Sequence, residues 1–188
     1  MEEQGKIIVR AAEQIIVLQG IEALSLNSLA NEPELKGIDI SSLLQSEVDI
    51  FILLIADLEK DLDLLLANST PGSISPETEF ELFFKMLYDL FQQKTWYLPI
   101  IFYNNVFERN NRINAAIKQI KNKATDYLAK LIDRGKKENV FATTENTQTL
   151  VKDILGSARF LMNDLQLSRQ ITRDLKIHFA QKIKYKYQ

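Results

Sequence analysis

The strongest constraint on this chain is the spacing of its apolar residues. They return every three or four positions along nearly the whole sequence and nowhere alternate convincingly one by one between turn signals, so the pattern predicts an all-α protein with no sheet. From Lys6 to Leu18 the series Ile7, Ile8, Ala11, Ala12, Ile15, Ile16 and Leu18 marks a first helix, with Gly20 placed for a left-handed C-terminal cap. Ser25 suits the N-cap of a short helix through Ala30, with Leu26 and Leu29 on its inner side. A turn around Pro33 to Gly37 leads to a second short helix with Ile38, Ile40, Leu43 and Leu44 as its apolar side. Ser46 caps a longer helix to about Asn68, in which Ile50, Phe51, Leu53, Leu54, Leu58, Leu62 and Leu65 are core candidates and Asp57, Glu59, Lys60, Asp61 and Asp63 form a solvated stripe.

The cluster of Ser, Thr, Pro and Gly from Asn68 to Pro76 is the clearest break, and Pro76 is placed to open the next helix, to about Gln93. A further helix is expected over Trp96–Phe107, with Pro99 near its start. A long one follows over Arg109–Arg134, about 40 Å in length, which Gly135 is expected to end. Two more are expected, near Glu145–Leu165 and from a cap at Ser168 towards Tyr185.

Composition removes several classes of function. Hydrophobic residues make up 46% of the 188, enough for a continuous core. With no cysteine there is neither a disulfide framework nor a thiolate metal site, and His178, the only histidine, has no ligand spacing around it, so no metal and no cofactor is expected. The start Met1-Glu2-Glu3-Gln4 is unlike a secretory signal, and the apolar runs fall short of the roughly 20 residues that cross a membrane, so a cytoplasmic protein without membrane contact is expected. No glycine run cradles phosphate and no serine stands in a nucleophile elbow, so no catalytic residue is assigned and the chain is read as a non-enzyme. The net charge of −2 conceals an asymmetry: residues 1–60 hold four cations against eleven anions.

The first fifty residues resemble the TetR family of bacterial transcription regulators. Ala11-Ala12 and Gly20 stand where that family pairs alanines and closes its first helix. Ile21, Ser25 and Leu29-Ala30 match the start of the helix-turn-helix, and Ser46 with Asp49-Ile50 matches the entry to the connecting helix. The C-terminal two-thirds resembles the family in helix count rather than in motif. The resemblance implies a helix-turn-helix domain over 1–46 and a larger helical ligand-binding and dimerisation domain over 47–188. It also implies a homodimer that binds operator DNA through its third helix under control of an apolar effector.

The reading helix departs from the family's pattern. Asp39 stands where a hydroxyl approaches phosphate, Ser41 where a tyrosine lies along the backbone, and Glu47 where a lysine meets phosphate. Lost cations weaken DNA binding steeply at physiological salt. Lys6, Ser25, Asn27, Lys36, Asp39, Ser41, Ser42 and Gln45 are the candidate DNA-binding positions, with Arg10 a further phosphate contact, and two readings stay open: a weakened specific reader, or a relic helix-turn-helix on a ligand-binding or protein-interaction dimer. The aromatic-rich middle supplies candidate effector contacts Phe83, Phe84, Leu87, Trp96, Phe102, Tyr103 and Tyr127, against the alternative of a filled core. The resemblance places the dimer interface on the last two helices, at Leu150, Ile154, Ala158, Leu161, Ile171, Leu175 and Phe179, against burial within one subunit.

Overall fold

The computed structural model describes residues 2–69, 71–102, 110–141 and 144–163, with side chains of the last stretch to Ser157. Every regular element among them is helical: α1 (Glu2–Gln19), α2 (Leu26–Ala30), α3 (Ile40–Leu43), α4 (Glu47–Asn68), α5 (Pro76–Gln93), α6 (Tyr97–Phe102), α7 (Asn111–Lys137) and α8 (Thr147–Asn163), with short 3-10 turns at Ile21–Ala23 and Pro33–Leu35. The chain divides into two compact units. The first takes residues up to Asp61 together with Lys94–Ile120, and the second takes Leu62–Gln93 and the chain from Lys121 onward.

In the first unit α1 packs on α2 and on both 3-10 turns, and α2 packs on α3. Ala11 and Ala12 are fully buried, with Ile8, Ile15 and Ile16 beside them, because a helix that lies close to several short elements needs small residues at the contact. Leu18, expected on the same face, is instead 78% exposed. The amide of Gly20 bonds the carbonyl of Ile16 at 3.0 Å and so ends α1. Its φ of 92° and ψ of 163° lie in a glycine-tolerant region outside the left-handed helical basin that the sequence suggested. Ser25 caps α2 reciprocally: its Oγ accepts from the Ser28 amide at 3.0 Å, and its own amide donates to Ser28 Oγ at 2.8 Å. Serine at the third position here does the work of the usual glutamate.

The second unit has its core in Leu65, Phe80, Phe83, Leu128, Leu131, Ile132, Phe141, Leu150 and Ile154. Pro76 opens α5 as expected. Gly135 does not end the long helix, which continues through it to Lys137. The stop is a Schellman arrangement: the Val140 amide bonds the Gly135 carbonyl at 2.8 Å, the Asn139 amide bonds that of Lys136 at 3.1 Å, and Asn139 takes the left-handed conformation at φ 57°. Gly135 answers a packing need instead. The ring of Phe141 folds back over it, and a Cβ at that position would lie 2.1 Å from Phe141 Cδ2.

Among the described residues, no helix is long and apolar enough to cross a membrane.

Candidate functional site

The residues expected to read DNA lie in the first unit, on α1 and on or beside the short helices α2 and α3. Lys6, Asn27, Lys36, Asp39, Ser41, Ser42 and Gln45 are exposed, and Ser25 is half-buried in its cap. Lys6 and Arg10, one turn apart on α1, line a shallow depression with Glu3 and Ile7. At α3 the polar side chains are turned on one another. Asp39 caps the helix, its Oδ1 accepting from Ser41 Oγ at 2.5 Å and from the Ser42 amide at 3.3 Å, while Ser42 Oγ donates to the Asp39 carbonyl at 2.7 Å. The Ser41 hydroxyl and the Ser42 amide hold the Asp39 carboxyl below its ordinary range. An anion therefore already sits at the start of α3, where a phosphate would need unoccupied donors. With α3 only four residues long, the expected helix from Ile38 is reduced to a single turn.

The acidity of this region is smaller than residues 1–60 alone suggest, because the compact unit also contains 94–120. Over the whole first unit, eight cations face thirteen anions. Arg112 Nη1 meets Asp49 at 3.0 Å, and Lys94 Nζ meets Asp57 and Asp61 at 2.8 and 2.6 Å. Asp57 and Asp61 are therefore not part of a solvated stripe. One turn apart on α4, they grip both the Lys94 ammonium and the hydroxyl of the fully buried Tyr97, which lies 2.9 and 2.6 Å from their Oδ2 atoms. Burial is the largest influence on Lys94 and would lower its pKa, but the two carboxylates outweigh it and the net shift is upward. Burial, reinforced by Asp61 and Asp57, pushes the Tyr97 phenol far above its ordinary range.

A second polar cluster lies inside the other unit. Glu79, only 2% exposed, accepts from Arg134 Nη2 at 2.6 Å, from the Gly72 amide at 3.0 Å and from the Tyr127 hydroxyl at 2.8 Å. Tyr127 also pairs with Ser69 Oγ at 2.6 Å, and Arg134 reaches the Ile74 carbonyl at 3.1 Å. The loop between α4 and α5 is thereby tied to both α5 and α7. Burial raises the Tyr127 phenol to about 12, with Ser69 opposing and Glu79 reinforcing the shift.

Of the expected effector contacts, Phe83, Phe84, Leu87 and Tyr127 come together in the second unit. Phe83 stacks on Tyr127 with centroids 5.1 Å apart and meets Phe84 edge-on at 5.0 Å, and Leu87 packs on the same core. Trp96 and Phe102 belong to the first unit, and Tyr103 lies outside the described residues. Leu150 and Ile154, expected at a dimer interface, are 4% and 0% exposed within a single chain, so their turn of α8 is already covered by the subunit's own core. The side chains of Ala158 and Leu161, and all of Ile171, Leu175, Phe179 and His178, lie outside the described residues.

No family model matches the sequence, and no curated protein does. Solved structures do match. A TetR-family transcriptional regulator from Agrobacterium tumefaciens is similar over 97% of this chain and 98% of its own, with a TM-score of 0.80 at 11% identity. The fatty acid degradation regulator FadR from Bacillus halodurans is similar over 96% of each chain, with a TM-score of 0.77 at 12% identity. FadR of Thermus thermophilus, a TetR-family repressor solved with lauroyl-CoA, has a TM-score of 0.60 at 13% identity over 98% and 95% of the two chains. The fold is the TetR-family fold.

Within this TetR-type fold, the sequence reading missed the polar clusters around Tyr97 and around Glu79. Asp57 and Asp61 carried a usable signal, a carboxylate pair at helical spacing on a strongly apolar helix. Their cation, Lys94, lies more than thirty residues away, and nothing local announces it. Glu79 had no signal, since acids in the first turn of a helix, here Glu77 and Glu79, read as favourable surface charges.

Proposed function

We propose that the chain is a non-enzymatic, dimeric transcription regulator of TetR type that binds operator DNA through residues 1–46 and an apolar effector through residues 47–188. The observation that carries this reading is the pair α2 and α3 with Asn27, Lys36, Ser41, Ser42 and Gln45 exposed, set in a fold that matches regulators over nearly its whole length. Hydroxyl and amide side chains can read base edges and phosphates without cationic charge. The lauroyl-CoA bound by the Thermus thermophilus neighbour supports an acyl-type effector here, with Phe83, Phe84, Leu87 and Tyr127 of the second unit as its candidate contacts. Self-association is assigned to the C-terminal segment through Ala158, Leu161, Ile171, Leu175 and Phe179, since Leu150 and Ile154 are engaged within the subunit.

A second reading is favoured by the Asp39 network: a ligand-binding or protein-interaction dimer of the same fold that no longer recognises DNA. The capping carboxylate occupies Ser41 and the Ser42 amide, and the first unit retains an excess of five anions. Titrating duplex DNA from the gene's own upstream region, from low to physiological salt against an unrelated duplex, separates the two. Specific binding that survives physiological salt supports the regulator, whereas no binding, or equal binding to both duplexes, refutes it. For a regulator, Asp39→Asn keeps a capping oxygen, removes the charge and raises DNA affinity severalfold.

A further inference from the structure

We propose that Lys6 and Arg10 of α1 are the phosphate anchor of the DNA-binding surface, each taking one backbone phosphate, and that the starts of α3 and α4 do not serve this role. The proposal rests on the DNA-binding reading above and adds to it where the sugar-phosphate backbone is held. The two side chains stand four residues apart on an 18-residue helix, both exposed, and with Glu3 and Ile7 they line an open depression. Residues at that spacing have their Cβ atoms about 6 Å apart, so an ammonium and a guanidinium on long stems reach neighbouring phosphates of one strand. Half-buried Ile7, beside them, offers the deoxyribose an apolar contact.

The other charges of the first unit leave this role to α1. Lys94 is held by Asp57 and Asp61, and Arg112 by Asp49. Lys6 and Arg10 have no carboxylate partner among the described residues, so a phosphate that meets them displaces water and counterions and breaks no ion pair. The start of α3 is filled by the Asp39 carboxylate, which already accepts from Ser41 Oγ and the Ser42 amide, and α4 opens with Glu47 and Asp49. Lys36, exposed at the end of the 3-10 turn that packs on α1, supplies a third cation.

Glu3 opposes the two cations within the depression and gives the proposal a sign. Neutralising Glu3 must help an anion bind there, whereas neutralising Lys6 or Arg10 must weaken it.

The test titrates the full-length chain with the upstream duplex and with an unrelated one, from about 50 to 200 mM salt. With Lys6, Arg10 and Lys36 on each subunit of a dimer, log K should fall against log salt with a slope of about −5. The double variant Lys6→Gln with Arg10→Gln removes two of the three on each subunit. It should bring the slope to about −2 and weaken both duplexes alike, by about tenfold or more. Glutamine matches lysine and arginine in helix propensity, so the melting temperature should not move. Glu3→Gln should strengthen binding to both duplexes severalfold. An unchanged slope in the double variant, or no gain from Glu3→Gln, overturns this inference and leaves the DNA-binding reading in place. The same loss per cation in Lys118→Gln, an exposed lysine on α7 outside the depression, marks diffuse attraction and also overturns it. A parent protein that binds both duplexes equally, with the slopes stated, supports the anchor and refutes operator specificity. A parent that binds neither duplex at the lowest salt refutes the DNA-binding reading, and the anchor falls with it.

Discussion

Replacing Gly135 by alanine separates two opposed effects in one substitution. In an exposed helix interior, Gly→Ala stabilises by about 1 kcal/mol through helix propensity alone. At Gly135 the added Cβ would lie 2.1, 2.4 and 2.8 Å from three ring atoms of Phe141, a residue only 4% exposed. The ring cannot simply swing away, because the amides of Val140 and Phe141 both bond the Gly135 carbonyl, at 2.8 and 3.0 Å. Overpacking of this severity costs about 3 kcal/mol, so Gly135→Ala should destabilise by a net of about 2 kcal/mol. For a chain of this length that is a fall in melting temperature of about 4–8 °C. The assay is a double-mutant cycle by thermal and urea unfolding with Phe141→Ala, which by itself should cost about 3 kcal/mol or more. In the Phe141→Ala background the clash is gone, and Gly135→Ala should stabilise by about 1 kcal/mol, reversing its sign. A stabilising effect in the parent protein, or the same effect in both backgrounds, would refute the reasoning.

Tyr127→Phe removes the hydroxyl shared by Glu79 and Ser69 and should destabilise by about 1–3 kcal/mol in urea unfolding, since Glu79 stays buried with fewer donors. The same phenol, with Tyr97, predicts the alkaline limb of stability: both pKa values lie above the unfolded value of 10.0, Tyr127 at about 12, so their contribution is intact below pH 10 and is lost as pH rises through the folded values. Unfolding measured from pH 9 to 12 should show that decline, and Tyr127→Phe should flatten it. Lys94→Met leaves Asp57 and Asp61 facing each other without their cation and should cost about 1–2 kcal/mol, because the partly exposed pair is screened by water. Asn139→Gly, at the left-handed position that ends α7, should stabilise by a few tenths of a kcal/mol up to about 1 kcal/mol, read as a higher melting temperature.

The helical class, the opening of α4 after Ser46 and the bounds of α5 were legible because each depends on residues within one or two turns: a cap, a proline at the first position, an apolar stripe. Gly135 was misread for the complementary reason. A glycine after a periodic run signals a stop when only local sequence is considered, and the ring that demands it arrives six residues later by way of a loop. The charge of the first unit was misjudged in the same manner, since Lys94 and Arg112 join it from a distant part of the chain. In the candidate site, exposure of Asn27, Ser41, Ser42 and Gln45 followed from the helix pattern. The capture of Ser41 and the Ser42 amide by Asp39 depends on side-chain geometry that spacing does not encode.

The short circuit of hydrogen bonds among Asp39, Ser41 and Ser42 also bears on how this helix can change. Each of the three residues is at once a support for the turn and a partner of the others, so substitutions there will not act independently. Losing the Asp39 side chain frees a hydroxyl and an amide in a single step but removes the cap that holds them, while altering either serine alone leaves the charge in place. Epistasis is therefore built into this exposed turn. Variant libraries that sample positions 39, 41 and 42 one at a time will miss combinations that a joint library would recover.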